Sequence, residues 1–329
     1  MALPDSIMLL VKCMTYNQKA FIEDAMNGFC MQKTSFPFIC IIMDDCSTDG
    51  EQDTIKNYFQ EHFTQLNEKE TDNYIFHLGK HKTNEKCYFA VYFLKYNHYS
   101  IKKSKDSYYT EWLNKCKYIA MCEGDDYWTN IQKLQKQVSF LEEHNDYVLC
   151  AHNSIVKHEP TGNLRCFNNW LDKDTYDYCD IISKNWFLPT QSLLFRRDVY
   201  YKNKTDKHFF NGDYFLQLTL TRDGGLVYYS NDCMGVYRSG IGVSTKVNFK
   251  KNNLNLIDLL NYMSSISDKR YQQTFDSKIE RLKQQIINQD LRKSNFNTRW
   301  YQFRYKLLIA FITILRFKNP NIMINTYFK

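Results

Sequence analysis

Twice in its first 65 residues the chain passes from an apolar, strand-length run through a polar turn into a helical period. The same succession recurs after residue 118. Ile7 to Cys13 is apolar except for Lys12 and leads into Thr15-Tyr16-Asn17, after which Phe21, Ile22, Ala25, Met26 and Phe29 recur at the spacing of one helix face. Phe38 to Met43 ends in Asp44-Asp45-Cys46-Ser47-Thr48-Asp49-Gly50, and Ile55, Tyr58, Phe59 and Phe63 mark the helix that follows. Tyr74 to Leu78 reads as a third strand. Tyr118 to Cys122 reads as another, closing on Glu123-Gly124-Asp125-Asp126-Tyr127-Trp128 before a helix over 131–143 with Ile131, Leu134, Val138 and Leu141 on one face. Thr48 with Glu51, and Thr129 with Gln132, have the spacing of a capping box. Strands buried on both faces and joined by helices are expected to run parallel with right-handed crossovers. The fold class expected is therefore α/β, a doubly wound and mainly parallel sheet.

The rest of the chain is less regular. Residues 80–115 read as a helix plus a variable loop. Tyr147 to Ala151, Thr190 to Arg197, Gly225 to Tyr229 and Gly235 to Arg238 read as strands, and a helix is expected from Gly212-Asp213 to Arg222. From Val247 the chain turns rich in Lys, Asn and Gln with no further strand signal. The expected division is an α/β domain over 1–246 and a helical region over 247–329.

Composition excludes several classes. With 43% hydrophobic and 16% aromatic residues but only 11 Gly and 5 Pro, the chain can bury a full core and does not read as disordered. The net charge of +7 suits phosphorylated substrates or an anionic membrane surface, yet no Lys/Arg stripe interleaved with aromatics points to nucleic acid. The 11 cysteines include no Cys-x-x-Cys pair, and they read as small buried apolar residues of a reducing compartment. No leader-like segment opens the sequence and no apolar run approaches the roughly 20 residues of a spanning helix. The expectation is a cytoplasmic protein, peripheral at most on the inner face of the cell membrane.

Two acidic clusters, Asp44-Asp45 and Asp125-Asp126, close strands of the same sheet. In an open α/β sheet, ligands bind at that edge. Either pair could merely cap a helix; two on one edge suggest a shared ligand. An EF-hand reading of Asp45, Ser47, Asp49 and Gly50 fails because Lys56 stands where the bidentate Glu is needed. There is no Gly-x-Gly-x-x-Gly and no Walker loop, so phosphates would be held through a hard divalent cation rather than a glycine nest.

These motifs together resemble a family 2 glycosyltransferase, in particular the bacterial members that build surface polysaccharides. They are Thr15-Tyr16-Asn17, Met43 to Gly50, Glu123 to Trp128 with Lys133-Leu134-Gln135, Phe140-Leu141-Glu142, Asn211-Gly212-Asp213-Tyr214 and Val236-Tyr237-Arg238, in that order over residues 7 to 245. The resemblance implies a GT-A fold, a nucleotide-diphosphate sugar donor, a Mg²⁺ or Mn²⁺ ion and inversion at the anomeric carbon. It assigns the turn at Thr15, Tyr16 and Asn17 to the nucleotide, Asp45 to the nucleobase, Asp125 to the donor sugar or ribose, Asp126 to the metal and Asp213 to the general base. Asp213 would suit a helix N-cap equally well. Relatives often carry a metal-binding His shortly after the Tyr-Arg pair; here Ser239-Gly240-Ile241-Gly242 follows. Gln-x-x-Arg-Trp, the mark of processive synthases, is missing, so transfer of single sugars to a glycan or lipid-linked acceptor is expected. Trp128, Trp186, His152 and Arg196 are further candidates for acceptor contacts. The alternatives are a sugar-phosphate nucleotidyltransferase, which would want a basic glycine-rich loop near the N-terminus, or a non-catalytic nucleotide-sugar-binding protein. Near the C-terminus, Leu307 to Leu315 is apolar apart from Thr313 and is flanked by basic and aromatic residues. It reads as a helix that lies in a membrane interface or packs on the α/β domain.

Overall fold

A computed structural model describes residues 6–184, 186–242 and 248–318; for 293–299, 301, 302, 305 and 308–318 it describes the backbone alone. The chain runs β1 (Leu9–Thr15), α1 (Ile22–Cys30), β2 (Phe38–Asp44), α2 (Glu51–His62), β3 (Phe63–Glu70), β4 (Tyr74–His81), β5 (Cys87–Leu94) and α3 (Thr110–Lys115). It continues with β6 (Tyr118–Met121), β7 (Tyr127–Trp128), α4 (Lys133–Glu143), β8 (Tyr147–His158), β9 (Asn163–Cys166), β10 (Thr175–Tyr176) and α5 (Tyr178–Ser183). The last elements are β11 (Leu194–Arg196), α6 (Arg197–Asn203), α7 (Gly212–Thr221), β12 (Leu226–Ser239), α8 (Phe249–Ile266) and α9 (Gln272–Lys318).

One sheet organises them, in the order β10-β12-β8-β11-β6-β1-β2-β5-β4-β3. At its centre β5, β2, β1 and β6 are parallel neighbours, with Leu9 opposite both Phe38 and Tyr118. Parallel strands need crossovers and so carry helices on both faces, which is why β2 is buried at every position. Side chains alternate between two cores. Leu10, Ile39, Ile41 and Ile119 face one; Val11, Cys13, Cys40 and Ile42 face the other. Phe275, Ile279 and Leu282 of α9 and Leu259, Leu260 and Met263 of α8 belong to the first of these cores. The start of the region beyond 247 therefore shares a core with the sheet. All 11 cysteines are free; Cys13, Cys40, Cys122 and Cys150 are buried, as their apolar runs suggested, and so are Cys87 and Cys116, whereas Cys166 and Cys233 are exposed. Among the described residues no helix is long and apolar enough to cross a membrane.

Several local expectations are corrected. Tyr74 to Leu78 is not a parallel strand. It lies in β4, antiparallel to both β3 and β5, and Phe63 opens β3 rather than closing α2. The third parallel strand is β5, Cys-Tyr-Phe-Ala-Val-Tyr-Phe-Leu, buried throughout and hidden inside residues 80–115 because its tyrosines read as polar. Neither capping box forms. α2 starts after Gly50 in a left-handed conformation (φ 90°) without a side-chain cap, and α4 starts at Lys133. Ile131 is 42% exposed, and Lys133 and Gln137 take places on the buried face of α4 instead. Residues 190–192 form a short 3-10 turn, leaving only Leu194–Arg196 as strand. The two expected strands after Gly225 are one, β12, whose register against β8 shifts between Ser230 and Gly235.

Candidate active site

The carboxyl ends of β1, β2 and β6 lie side by side, so the turns at 15–18, 44–50 and 122–126 share one edge. The first two are stitched together. Asn17, in the left-handed region at φ 54°, accepts from the Thr48 backbone N–H at 2.8 Å, and its own N–H donates to Ser47 Oγ at 2.9 Å. Asn tolerates that conformation better than most residues. Glu51 is the knot of this junction: it accepts from the Gln18 N–H and from Ser47 Oγ, both at 2.8 Å, and from Thr15 Oγ1. That role explains the missing capping box. Tyr16 stays exposed at the rim. The third turn is pressed onto the first through Gly124, where a Cβ would come within 2.4 Å of Thr15 Oγ1 and 2.6 Å of Gln18 Oε1.

At the end of β2 the two aspartates divide. Asp45 is buried, and its carboxylate accepts from the His98 N–H at 2.8 Å, the Tyr99 N–H at 3.0 Å and Lys105 Nζ at 2.6 Å. It anchors the loop 97–105 over the edge. Asp44 accepts from the Ser47 N–H and Gln52, while its Oδ2 is buried with no hydrogen-bond partner. Burial lifts Asp44 above the usual carboxylate range.

Four carboxylates share the next stretch of cleft. Glu123 is exposed at the mouth of the turn, and desolvation, then Asp125 and Asp213, push it up to about 7. Asp125 is raised by burial, and Asp126 by burial, then Asp125 and Glu123. Asp213 arrives from a distant part of the chain on the first turn of α7. It accepts from the Tyr214 N–H at 2.8 Å and from Thr190 Oγ1 at 3.3 Å, and burial raises it too. The hydroxyl of Tyr237 lies in the field of all four and is raised, first by its own burial. Like charges crowded in a low-dielectric cleft destabilise one another's ionised forms.

Arg238 closes one side. Its N–H donates to Asp126 Oδ1 at 2.7 Å, and its guanidinium donates to the Asp125 carbonyl at 2.7 Å, to Glu159 Oε1 at 2.8 Å and to Asp24. The same guanidinium lies over the rings of Tyr127, at 4.5 Å, and Phe21, at 4.9 Å. No three His, Cys, Asp or Glu side chains among the described residues converge as a metal cage. What remains is an acidic turn whose negative charge Arg238 offsets only in part, a donor set that suits a hard cation taking one or two carboxylates and completing its shell with water and substrate phosphate.

Three suggested acceptor contacts sit elsewhere. Trp128 is 1% exposed; it packs edge-on against Phe29 at 4.9 Å and donates to the Gln191 carbonyl at 2.8 Å, so it is core. His152 is fully buried, and burial, with the Lys133 charge, holds it down to about 3. Arg196 pairs with Tyr118 at the opposite end of β6, where its guanidinium donates to the carbonyls of Leu141 and His144. Trp186, by contrast, is at the site: its ring meets Phe167 at 5.1 Å and Tyr237 at 5.5 Å, and its buried indole N–H is left without a hydrogen-bond partner. The sequence reading missed the clamp by Arg238 and the knot at Glu51. The Tyr237-Arg238 pair was the available signal for the first.

No protein-family profile matches the chain. An uncharacterized protein of Mycobacterium tuberculosis is 28% identical over 194 residues, which span 57% of this chain and 46% of that protein, so the match takes in about half the relative's length. The putative teichuronic acid biosynthesis glycosyltransferase TuaG of Bacillus subtilis is 25% identical over 227 residues, 68% of this chain and 76% of the relative. Among solved structures, Staphylococcus aureus TarS in complex with UDP superposes with a TM-score of 0.52 at 14% identity, covering 84% of this chain and 70% of that one. The mannosyltransferase PcManGT from Pyrobaculum calidifontis, in complex with GDP-Man and Mn²⁺, gives 0.52 at 13%, covering 82% and 68%. With its parallel β5-β2-β1-β6 centre, its acidic turns on one edge and these neighbours, the chain has the GT-A glycosyltransferase fold and resembles enzymes of the surface-polysaccharide type.

Proposed function

We propose that this chain transfers a single sugar, with inversion, from a nucleotide-diphosphate sugar to a hydroxyl of a glycan or lipid-linked acceptor in surface polysaccharide synthesis. One observation carries the reading: α7 delivers Asp213 into the same electrostatic field as Glu123, which adjoins Asp125 and Asp126 on the acidic turn. The alternative of a helix N-cap falls away, because Asn211 holds that position in α7 and Asp213 lies inside the first turn. That TarS is solved with UDP and PcManGT with GDP-Man and Mn²⁺ supports a nucleotide-sugar donor and a divalent cation.

In this reading Thr15, Tyr16 and Asn17 line the nucleotide, with Asp45 and the loop it anchors at the base. Asp125 faces the donor sugar or ribose. Asp126 would hold Mg²⁺ or Mn²⁺, which supplies neutralising charge to the leaving diphosphate. Asp213 takes the proton of the acceptor hydroxyl as it attacks. Its carboxylate, raised by burial, is a stronger base than an exposed aspartate. Thr190 and the Tyr214 N–H orient that carboxylate, and the rings of Trp186, Phe167 and Tyr237 offer an apolar wall for an acceptor sugar face.

The test combines a nucleotide-sugar panel with two substitutions. Donor turnover should release nucleoside diphosphate; release of pyrophosphate would point to a nucleotidyltransferase instead. Asp213→Asn, which can still accept from the Tyr214 N–H in the first turn of α7, should leave donor binding intact and lower transfer by about 10²–10⁴-fold. Near-normal transfer by that variant would leave Asp213 with a structural role only. EDTA and Asp126→Ala should each abolish turnover, with Mn²⁺ or Mg²⁺ restoring the EDTA-treated wild type only. Full activity in EDTA would remove the cation from the reading.

A further inference from the structure

The charge of the chain is divided unevenly. Of its 43 basic and 36 acidic residues, the stretch 291–329 holds eight basic and no acidic ones. The body, residues 1–290, is thereby left with 35 basic against 36 acidic residues, and the entire excess of positive charge sits behind Asp290.

Asp290 is also where α9 outruns its support. Lys250, on the first turn of α8, pairs with Asp290 at 2.7 Å, and Asn253 meets Gln285 at 3.5 Å. Among the described side chains, the pairing of α8 with α9 reaches that level. Before it, Phe275, Ile279 and Leu282 form a buried stripe. Beyond it, the helix continues from 291 to Lys318, a further distance of about 42 Å at 1.5 Å per residue. At 100° per residue Trp300 and Leu307 return to within about 40° of Phe275, and Phe303 lies beside them about 80° away, an apolar strip now 45%, 54% and 61% exposed in that order. Arg304, whose guanidinium lies 4.6 Å from the Trp300 ring centroid, and Lys306 flank it and are exposed. In sequence, the run from Leu307 to Leu315 that follows is apolar apart from Thr313 and closes on Arg316 and Lys318. The side chains of 308–315 lie outside the described residues.

We infer that this projecting arm of α9 is a docking surface for an anionic lipid bilayer, on which it lies in the interface plane. An apolar stripe flanked by cations on an amphipathic helix fits the boundary between headgroups and acyl chains. A second copy of the chain is the poorer occupant. Two such arms side by side would bring up to sixteen basic residues together with no acid to offset them, whereas a coiled-coil seam uses acidic and basic flanks in register. A body with nearly balanced charge leaves the arm as the electrostatic handle, and each cation near an anionic surface strengthens binding about fivefold.

Vesicle flotation of the full chain tests this. With phosphatidylcholine vesicles containing phosphatidylglycerol, the protein should float at low salt; with phosphatidylcholine alone it should stay below. Arg304→Glu with Lys306→Glu should weaken binding at least about 30-fold. Phe303→Ser with Leu307→Ser should prevent flotation while leaving the circular dichroism and monomer mass of the protein unchanged. Equal flotation of either double variant would overturn the inference. So would a protein that remains soluble with the anionic vesicles, or one that sediments as a dimer dissociated by Phe303→Ser with Leu307→Ser.

Discussion

Replacing Arg238 by Ala removes a side chain that ties α1, the acidic turn and the segment just after β8 together. The guanidinium is 3% exposed and donates to three partners, Asp24, the Asp125 carbonyl and Glu159. Hydrogen bonds to charged groups contribute about 1.5–3 kcal/mol each. Asp24 is half exposed, and its share is screened to well under 1 kcal/mol. The bonds to Glu159 and to the Asp125 carbonyl, with the contacts to Tyr127 and Phe21, then give an expected loss of about 3–5 kcal/mol, the range for breaking a buried charged pair. Urea unfolding followed by tryptophan fluorescence measures it. Arg238→Lys should recover less than half, since a lysine cannot reach three divergent acceptors at once. The backbone N–H to Asp126 survives in both variants, so the experiment isolates the guanidinium. A loss below about 1 kcal/mol for Arg238→Ala would show that the clamp adds little to the fold.

Two further perturbations read shifted protonation through pH. Burial holds the Lys133 ammonium down to about 7, so between pH 7 and its ordinary value of 10.5 the unfolded chain binds the proton that the folded chain has released. Stability should therefore rise with pH across that window; Lys133→Met should gain more over wild type at pH 6.5 than at pH 9, and a pH-independent difference in urea midpoints would refute it. Glu123, raised to about 7 from 4.5, works in the opposite sense: the folded chain binds more protons between those values, and its contribution to stability falls as pH rises through them. Glu123→Gln should match wild type in melting temperature near pH 4 and exceed it at pH 8; no gain at pH 8 would place that carboxylate in water.

The central sheet and its acidic edge could be read from the residues because apolar runs ending in Asp44-Asp45 and Glu123 to Asp126 report both burial and chain direction. The hairpin of β3 and β4 could not: Thr64 to Glu70 is polar and mostly exposed, and only its pairing with β4 makes it a strand. Placement at a strand end does not tell which way a side chain points. Trp128, two residues beyond Asp126, turns into Phe29 instead of the cleft, and His152 lies beneath Gly235 in the core. Arg238 was visible only as half of a Tyr-Arg pair, since Asp24 and Glu159 come from segments far apart in sequence. Asp45 shows a related limit. A carboxylate that looked free to meet a base spends both oxygens on the loop at 97–105, while the oxygen left without a partner belongs to Asp44.

Gly124 has a consequence for how sites of this kind can change over time. Its missing side chain is what lets the turn after β6 rest against Thr15 and Gln18, with 2.4 Å and 2.6 Å left where a methyl would have to go. Alanine at 124 would wedge the acidic turn away from the nucleotide-side turn and shift Asp125 and Asp126 along with it, without touching any of the groups that do chemistry. Thr15 and position 124 are thus bound into a single steric unit: descendants could enlarge one only after trimming the other. Among related chains, those that have lost this glycine should show a smaller residue in place of Thr15, and the history of the pair would record which change came first.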